Sequence, residues 1–197
     1  MLPEFFTLYP GVKIDLHLSD APIDLVGEGF DAALRIAALP DSSLVAKSIR
    51  HMPRFLVAAP SLFEKHQRPR HPLDLASLPC LTYTGLDAWR FASTDGEVVA
   101  VKPSGPLRAN TGDGMMPLLH AGMGIAVVPE FMIVEELADG RIERLLDDWS
   151  LPGGAVHWVT PPGTRRHLRV NLLGDYLAAK LASKNGQASD PDPQHLR

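Results

Sequence analysis

Cysteine is almost absent: Cys80 is the only one in the 197-residue chain. No internal disulfide is possible, which suits a reducing compartment. Cys80 lies in the apolar run LPCLTY and reads as a small buried hydrophobe rather than a reactive thiol. Long apolar runs are missing too. No window approaches the roughly 18 consecutive apolar residues of a membrane span. The opening MLPEFFTLYPGVK has no basic region followed by a long apolar stretch, so no signal peptide is expected. Nor is there an excess of positive charge: the formal net charge is −4 and the pI about 6.0. A chain that grips nucleic acid by itself usually carries a basic patch or a high pI. That balance leaves room for a module whose DNA contacts lie elsewhere.

The parts of common enzymes are also lacking. His17, His51, His66, His71, His120, His157, His167 and His195 are scattered, with no H-x-x-x-H or Cys/His ligand pair. No G-x-S-x-G elbow occurs. Gly122 and Gly124 close a helix before a strand, whereas a dinucleotide fingerprint needs the opposite order. Neither a metal, a cofactor nor catalysis is therefore expected. No repeats are found.

What is there is an ordinary globular composition, 45% hydrophobic and 21% charged. The length allows one large or two small domains. Leu2 to Tyr9 reads as a short helix with Phe5, Phe6 and Tyr9 on its apolar face, stopped by Pro10-Gly11. Val12, Ile14, Leu16 and Leu18 alternate with polar residues, which predicts a half-buried strand. Ile23 to Gly29 reads as a helical turn, and Asp31 to Ile36 and Leu44 to Ile49 as strands. This alternation predicts βαβ units and a mostly parallel sheet.

Arg54 to Ala59 is a further extended run, followed by a short helix over Leu62 to His66 that Ser61 could cap. Gln67 to Pro72 reads as a surface loop. Leu81 to Thr84, Trp89 to Ala92 and Val98 to Val101 read as strands, with a tight turn over Ser93 to Gly96. Leu107 to Asn110 leads into a helix ending at Ala121-Gly122. Asp113 is the preferred N-cap, because Pro117 then falls in the first turn; Thr111 as N-cap would cost a hydrogen bond at Pro117. Gly124 to Val128 reads as a fully apolar strand, Glu130 to Leu137 as helix, Arg141 to Leu146 and Val156 to Thr160 as strands. Arg165 to Ala182 has helical apolar spacing. Ser183 to Arg197 has almost no apolar content, which predicts a disordered tail.

Four pieces, YPGVKIDLHLSD, DLVGEGFDAALRI, LPDSSLVAKSI and AGMGIAVVPEF, stand in one order and at telling spacings. Together they resemble the effector-binding domain of LysR-type transcriptional regulators, over about Leu2 to Leu181. The resemblance implies an α/β fold of two Rossmann-like subdomains, like a type II periplasmic binding protein, joined by two crossover strands near Phe55–Ala59 and Val156–Pro161. Subdomain I would comprise residues 1–58 and 160–183, subdomain II residues 59–159, and the tail residues 184–197. It implies a cytoplasmic homodimer or homotetramer that binds a small-molecule effector, often a carboxylate, in a cleft. DNA would be reached only through a helix-turn-helix domain, which this sequence lacks. The family also has a strand and the first turns of a helix before the point matching Leu2. A mis-called start codon, a trimmed sequence or a decayed gene each accounts for that departure. A free-standing small-molecule-binding protein of the same fold is the alternative reading.

In open α/β sheets ligands bind beyond the carboxyl ends of parallel strands. That rule nominates Ser19, Asp20, Tyr83, Asn110, Thr111 and Gly112 as effector-binding residues. The turn NTGDG opens onto a helix N-terminus, whose free N–H groups favour an anion, although Asp113 would oppose one placed against it. Asn110, Thr111 and Asp113 read equally well as helix caps. Pro40, Ser42 and Ser43, in the LPDSS turn, offer hydroxyls and backbone groups, or simply satisfy one another. Arg35, in an otherwise apolar strand, either holds a ligand carboxylate or pairs internally with a residue such as Asp31. Trp89 and Phe91 read as core rather than pocket.

Overall fold

The computed structural model describes residues 1–21, 23–37, 44–162 and 168–182. The LPDSS turn, the first residues of the expected C-terminal helix and the polar tail lie outside them. The chain divides into two compact units. The first takes Met1–Leu18, Ile23–His51 and the chain from Ala155 onward; the second takes Ser19–Pro22 and Met52–Gly154.

In the first unit, helix α1 (Leu2–Leu8) buries Phe5 completely. The Phe5 ring lies 5.0 Å from Tyr9 and 5.2 Å from Tyr176. Tyr176 belongs to α4 (Leu168–Ala182) and donates its hydroxyl to the Met1 carbonyl at 3.0 Å. Lys180 of α4 reaches Glu4 at 2.6 Å. The sheet of this unit runs β1 (Ala33–Ala37), β11 (Gly154–Thr160), β2 (Val45–Met52). β1 and β11 are antiparallel, with Leu34 opposite Trp158. Gly174 of α4 lets the helix approach this sheet: a Cβ there would sit 2.6 Å from the Trp158 indole nitrogen.

The alternation over Val12 to Leu18 does not become a strand. The segment makes no ladder hydrogen bonds, and Leu16 and Leu18 are 59% and 82% exposed. Alternation sets which side chains share a face, but a strand also needs a neighbour to take its N–H and C=O groups. No described strand pairs with this segment.

The second unit is built on a five-stranded sheet in the order β7 (Leu107–Ala109), β4 (Cys80–Tyr83), β8 (Ile125–Pro129), β3 (Arg54–Ala58), β9 (Glu143–Arg144). β4 is parallel to both β7 and β8, while β3 is antiparallel to β8 and β9. The expectation of a mostly parallel sheet is thus corrected to a mixed one, because β3 runs against both its neighbours and β11 runs against β1. β8 is apolar throughout because both faces of it are covered. On one face Leu56, Cys80, Ile125 and Val127 pack with Trp89, Phe91, Val99 and Val101. On the other, Val57, Leu81, Ala126 and Val128 meet Met115 and Leu119 of helix α2 (Gly112–His120).

A second small sheet holds β5 (Trp89–Ser93), β6 (Val98–Val101) and β10 (Trp149–Ser150). β5 and β6 form the expected hairpin, with Gly96 at a positive φ of 94° in its turn. Three local expectations give way. The 3-10 turn after β3 spans Pro60–Glu64, and Ala59 precedes it with no side-chain cap, so Ser61 lies inside rather than at its start. The helix expected over Glu130 to Leu137 is split into a 3-10 turn, Glu130–Met132, and α3 (Val134–Ala138), because Ile133 leaves helical geometry at φ −132°. The strand expected over Arg141 to Leu146 pairs at only two residues before Leu146 turns to φ 55°.

Candidate functional site

The parallel strands β4, β7 and β8 all end on the same edge of the second unit, at Tyr83, Ala109 and Pro129. Tyr83 stands beside Ala109 in the ladder, and the Thr84 N–H donates to the Ala109 carbonyl at 2.7 Å. Asn110 follows, exposed, and Thr111 opens α2. The Thr111 hydroxyl accepts the Gly114 N–H at 3.3 Å, with the Thr111 backbone extended at φ −132°. Thr111, not Asp113, is therefore the N-cap.

The cap is bought by leaving Pro117 inside the helix, where it has no N–H to give. The carbonyl deprived of that donor, on Asp113, belongs to an exposed residue, so water can serve it and the loss is small. Asp113 instead sits in the first turn, where its charge complements the helix dipole. The half-buried Met132 lies over Gly112: a Cβ on Gly112 would be 2.6 Å from its sulfur and its terminal methyl.

Tyr83 is half-buried, and its phenol is pushed above its ordinary pKa, first by burial and then by the negative charge of Asp20. Arg54 acts in the opposite direction. Both charges therefore reach the phenol. Arg54 opens β3 opposite Pro129, so the antiparallel strand brings its first residue to the edge where the parallel strands end. Sequence reasoning missed Arg54. Its only signal was a cation at the head of the apolar run RFLVAA, and the register that gives it meaning is visible only in the sheet.

Of the residues nominated from the sequence, Ser19, Asp20, Tyr83, Asn110, Thr111 and Gly112 all belong to the second unit. Ser19 and Asp20 are exposed, and the Ser19 hydroxyl accepts the Ala21 N–H at 3.1 Å. Arg35 belongs to the first unit, where its guanidinium donates to the Ile23 carbonyl. It makes no ion pair with Asp31 among the described residues. Pro40, Ser42 and Ser43 lie outside the described residues. Trp89 and Phe91 are core, 2% and 1% exposed. Cys80 is fully buried, and burial pushes its thiol up to about 11, so at neutral pH it is a protonated, inert group. These residues offer three hydroxyls, an amide, helix N–H groups, one cation and one carboxylate. Such a set can both donate and accept hydrogen bonds.

Two α/β units, with the chain passing between them at His51–Met52 and again at Gly154–Ala155, define the two-subdomain architecture of periplasmic-binding-protein-like sensor domains. Residues 1–182 match the LysR substrate binding domain family, and the chain belongs to it. The regulatory domain of CrgA from Neisseria meningitidis, a LysR-type transcriptional regulator, superposes with a TM-score of 0.80 at 27% identity, covering 91% of this chain and 89% of that one. The full-length Vibrio cholerae virulence activator AphB gives a TM-score of 0.80 at 27% identity, over 91% of this chain and 62% of that one. The HTH-type transcriptional regulator YhjC of Escherichia coli is 30% identical over 185 residues, 91% of this chain. The chain spans 62% of that relative's length. No helix among the described residues is long and apolar enough to cross a membrane.

Proposed function

We propose that this chain is the effector-sensing and oligomerisation domain of a LysR-type transcriptional regulator, and not an enzyme. A small metabolite of the carboxylate class binds at the edge formed by Tyr83, Asn110, Thr111 and Gly112, with Ser19 and Asp20 contributing from their loop. The family resemblance keeps Arg35, Pro40, Ser42 and Ser43, in the part of the chain assigned to the first unit, as further candidate effector residues. Binding shifts the balance between two arrangements of the domain, and does so only by as much as the effector prefers one of them. The domain works as a cytoplasmic homodimer or homotetramer, and DNA is contacted through a helix-turn-helix domain outside these residues.

The observation that carries this reading is the family match over residues 1–182, joined to hydrogen-bonding side chains gathered where parallel strands end. Two measurements test it. Calorimetry against a panel of small carboxylic acids should yield a binder whose affinity falls on Tyr83→Phe and on Thr111→Val. Thr111→Val also removes the α2 cap, at a cost of about 1 kcal/mol, so Thr111→Ser serves as the control that keeps it. Unchanged affinity in both variants would remove the site from this edge. In a gel-shift assay the purified 197-residue chain should give no sequence-specific complex. A specific shift would overturn the assignment of DNA contacts to another domain.

A further inference from the structure

His71 stands where three parts of the second unit meet. It precedes the 3-10 turn Pro72–Ser77 and caps it, its Nδ1 accepting the Leu73 N–H at 3.2 Å. Its Nε2 lies 3.8 Å from Oε1 of Glu97, in the turn of the β5–β6 hairpin. Its ring meets Trp149 of β10 edge to face, with 5.0 Å between centroids. The side chain is 36% exposed, so protons reach it.

The two polar contacts ask for different protonation states. To accept the Leu73 N–H, Nδ1 must keep its lone pair, so the capping ring is neutral with its proton on Nε2. That proton faces Glu97 across a gap too long for a hydrogen bond. A protonated ring has two donors and no acceptor. Its Nδ1–H would oppose the Leu73 N–H, and the cap bond is lost. The same charge draws the ring to Glu97, where a charge-assisted bond is stronger than the neutral one given up. The charged groups around the ring favour that exchange. On its own turn, Asp74 holds the His71 backbone N–H at 3.0 Å, against the exposed Arg70. On the hairpin, Glu97 is 56% exposed, while Asp95 is engaged by the Ser93 hydroxyl. On β10, the exposed Asp148 precedes Trp149.

We propose that His71 is a proton-driven switch within the second unit. Neutral, it caps the turn Pro72–Ser77; charged, it releases Leu73 and clamps the β5–β6 hairpin through Glu97. Histidine is the side chain whose charge ordinarily changes between about pH 5 and pH 8. Asp74, held below its ordinary value by the Arg70 and His71 backbone N–H groups, stays a carboxylate throughout that range. The change is local. Leu75 is fully buried and anchors the rest of the turn. The switch does not rest on the effector reading above, since no residue of that edge takes part in it.

Nitrogen-15 NMR of the full chain at pH 8 and at pH 5 tests it. At pH 8 the His71 ring should show the Nε2–H tautomer. At pH 5 the ring should be doubly protonated. The Leu73 amide should then lose protection from hydrogen exchange by roughly fivefold, the size of one net hydrogen bond. The Cys80 and Ile125 amides, bonded to the Ser104 and Pro79 carbonyls, should keep theirs. His71→Asn leaves a neutral acceptor at the cap and cannot titrate. Its Leu73 protection should be the same at both pH values. Glu97→Gln weakens the competing partner, so its Leu73 loss at pH 5 should be smaller than in the wild type. Any of four results would overturn the switch: an Nδ1–H tautomer at pH 8, equal Leu73 protection at both pH values in the wild type, the same loss in His71→Asn or undiminished in Glu97→Gln, or Cys80 and Ile125 losing protection together with Leu73, which is acid unfolding.

Discussion

Asp74 illustrates how much a single exposed side chain can organise. Its carboxylate accepts the backbone N–H of Arg70 at 2.9 Å and of His71 at 3.0 Å, while His71 Nδ1 accepts the Leu73 N–H at 3.2 Å. The reciprocal pair starts the 3-10 turn Pro72–Ser77, which packs the buried Leu75 into the core. Those backbone donors, Arg70 first and His71 next, hold the Asp74 carboxyl below its ordinary 3.8. A lowered folded-state pKa means the carboxylate contributes in full above that ordinary value, and loses its contribution as the pH falls through the lower one. The urea midpoint of the wild type should therefore exceed that of Asp74→Asn at pH 7, and the gap should close in acid. An equal gap at pH 7 and pH 3 would mean the charge plays no part. At this scale the sequence is only partly legible. The NTGDG turn announced a capped helix, but the choice between Thr111 and Asp113 turned on a proline penalty that an exposed carbonyl makes small. The importance of Arg54 was invisible, since only the β3–β8 register sets it beside Pro129.

Elements were legible where the chain carries its own reason for them, and illegible where a neighbour supplies it. The run IAVV is apolar without alternation because β8 is covered on both faces, and it could be read directly. Val12 to Leu18 carried a clean alternation and yet no described strand pairs with it, so its pattern misled. β10 is the converse: Trp149 and Ser150 have no strand pattern of their own and pair only because Ser93 and Ala92 offer an edge. Helix α4 depends on a neighbour in another way. Gly174→Ala should gain up to about 1 kcal/mol in helix propensity. The added methyl, however, meets the rigid Trp158 indole at 2.6 Å. Overpacking of that kind costs about 1–3 kcal/mol, so the net effect should be destabilising, measured as a lower urea midpoint. A stabilised variant would show that α4 is not seated on Trp158 as described.

Over the whole molecule, the two units differ in how the chain builds them. The second draws nearly all its residues from one continuous stretch, Met52–Gly154, and holds two buried clusters of its own. A continuous piece of roughly 100 residues with its own core is the usual description of an independently folding domain. Expressed alone, residues 52–154 should unfold cooperatively in urea, with a sigmoidal circular-dichroism transition. A gradual, dye-binding transition would show that the unit needs the rest of the chain. The first unit is assembled from separated stretches, and Leu16, Leu18, Leu34 and Val45 are left exposed on it. The two-unit architecture could be anticipated from the family resemblance. The mixed strand directions could not, because direction is a property of pairing and not of any one segment. One contact in the second unit bears on how such a domain changes over generations. Met132 rests in the space that a side chain on residue 112 would occupy, at the first turn of the helix that faces the proposed effector. A methyl group there must displace the flexible end of Met132, which packs against the second buried cluster. Change at position 112 is then coupled to the seating of Met132, so what the proposed edge recognises and how tightly this unit packs would drift together.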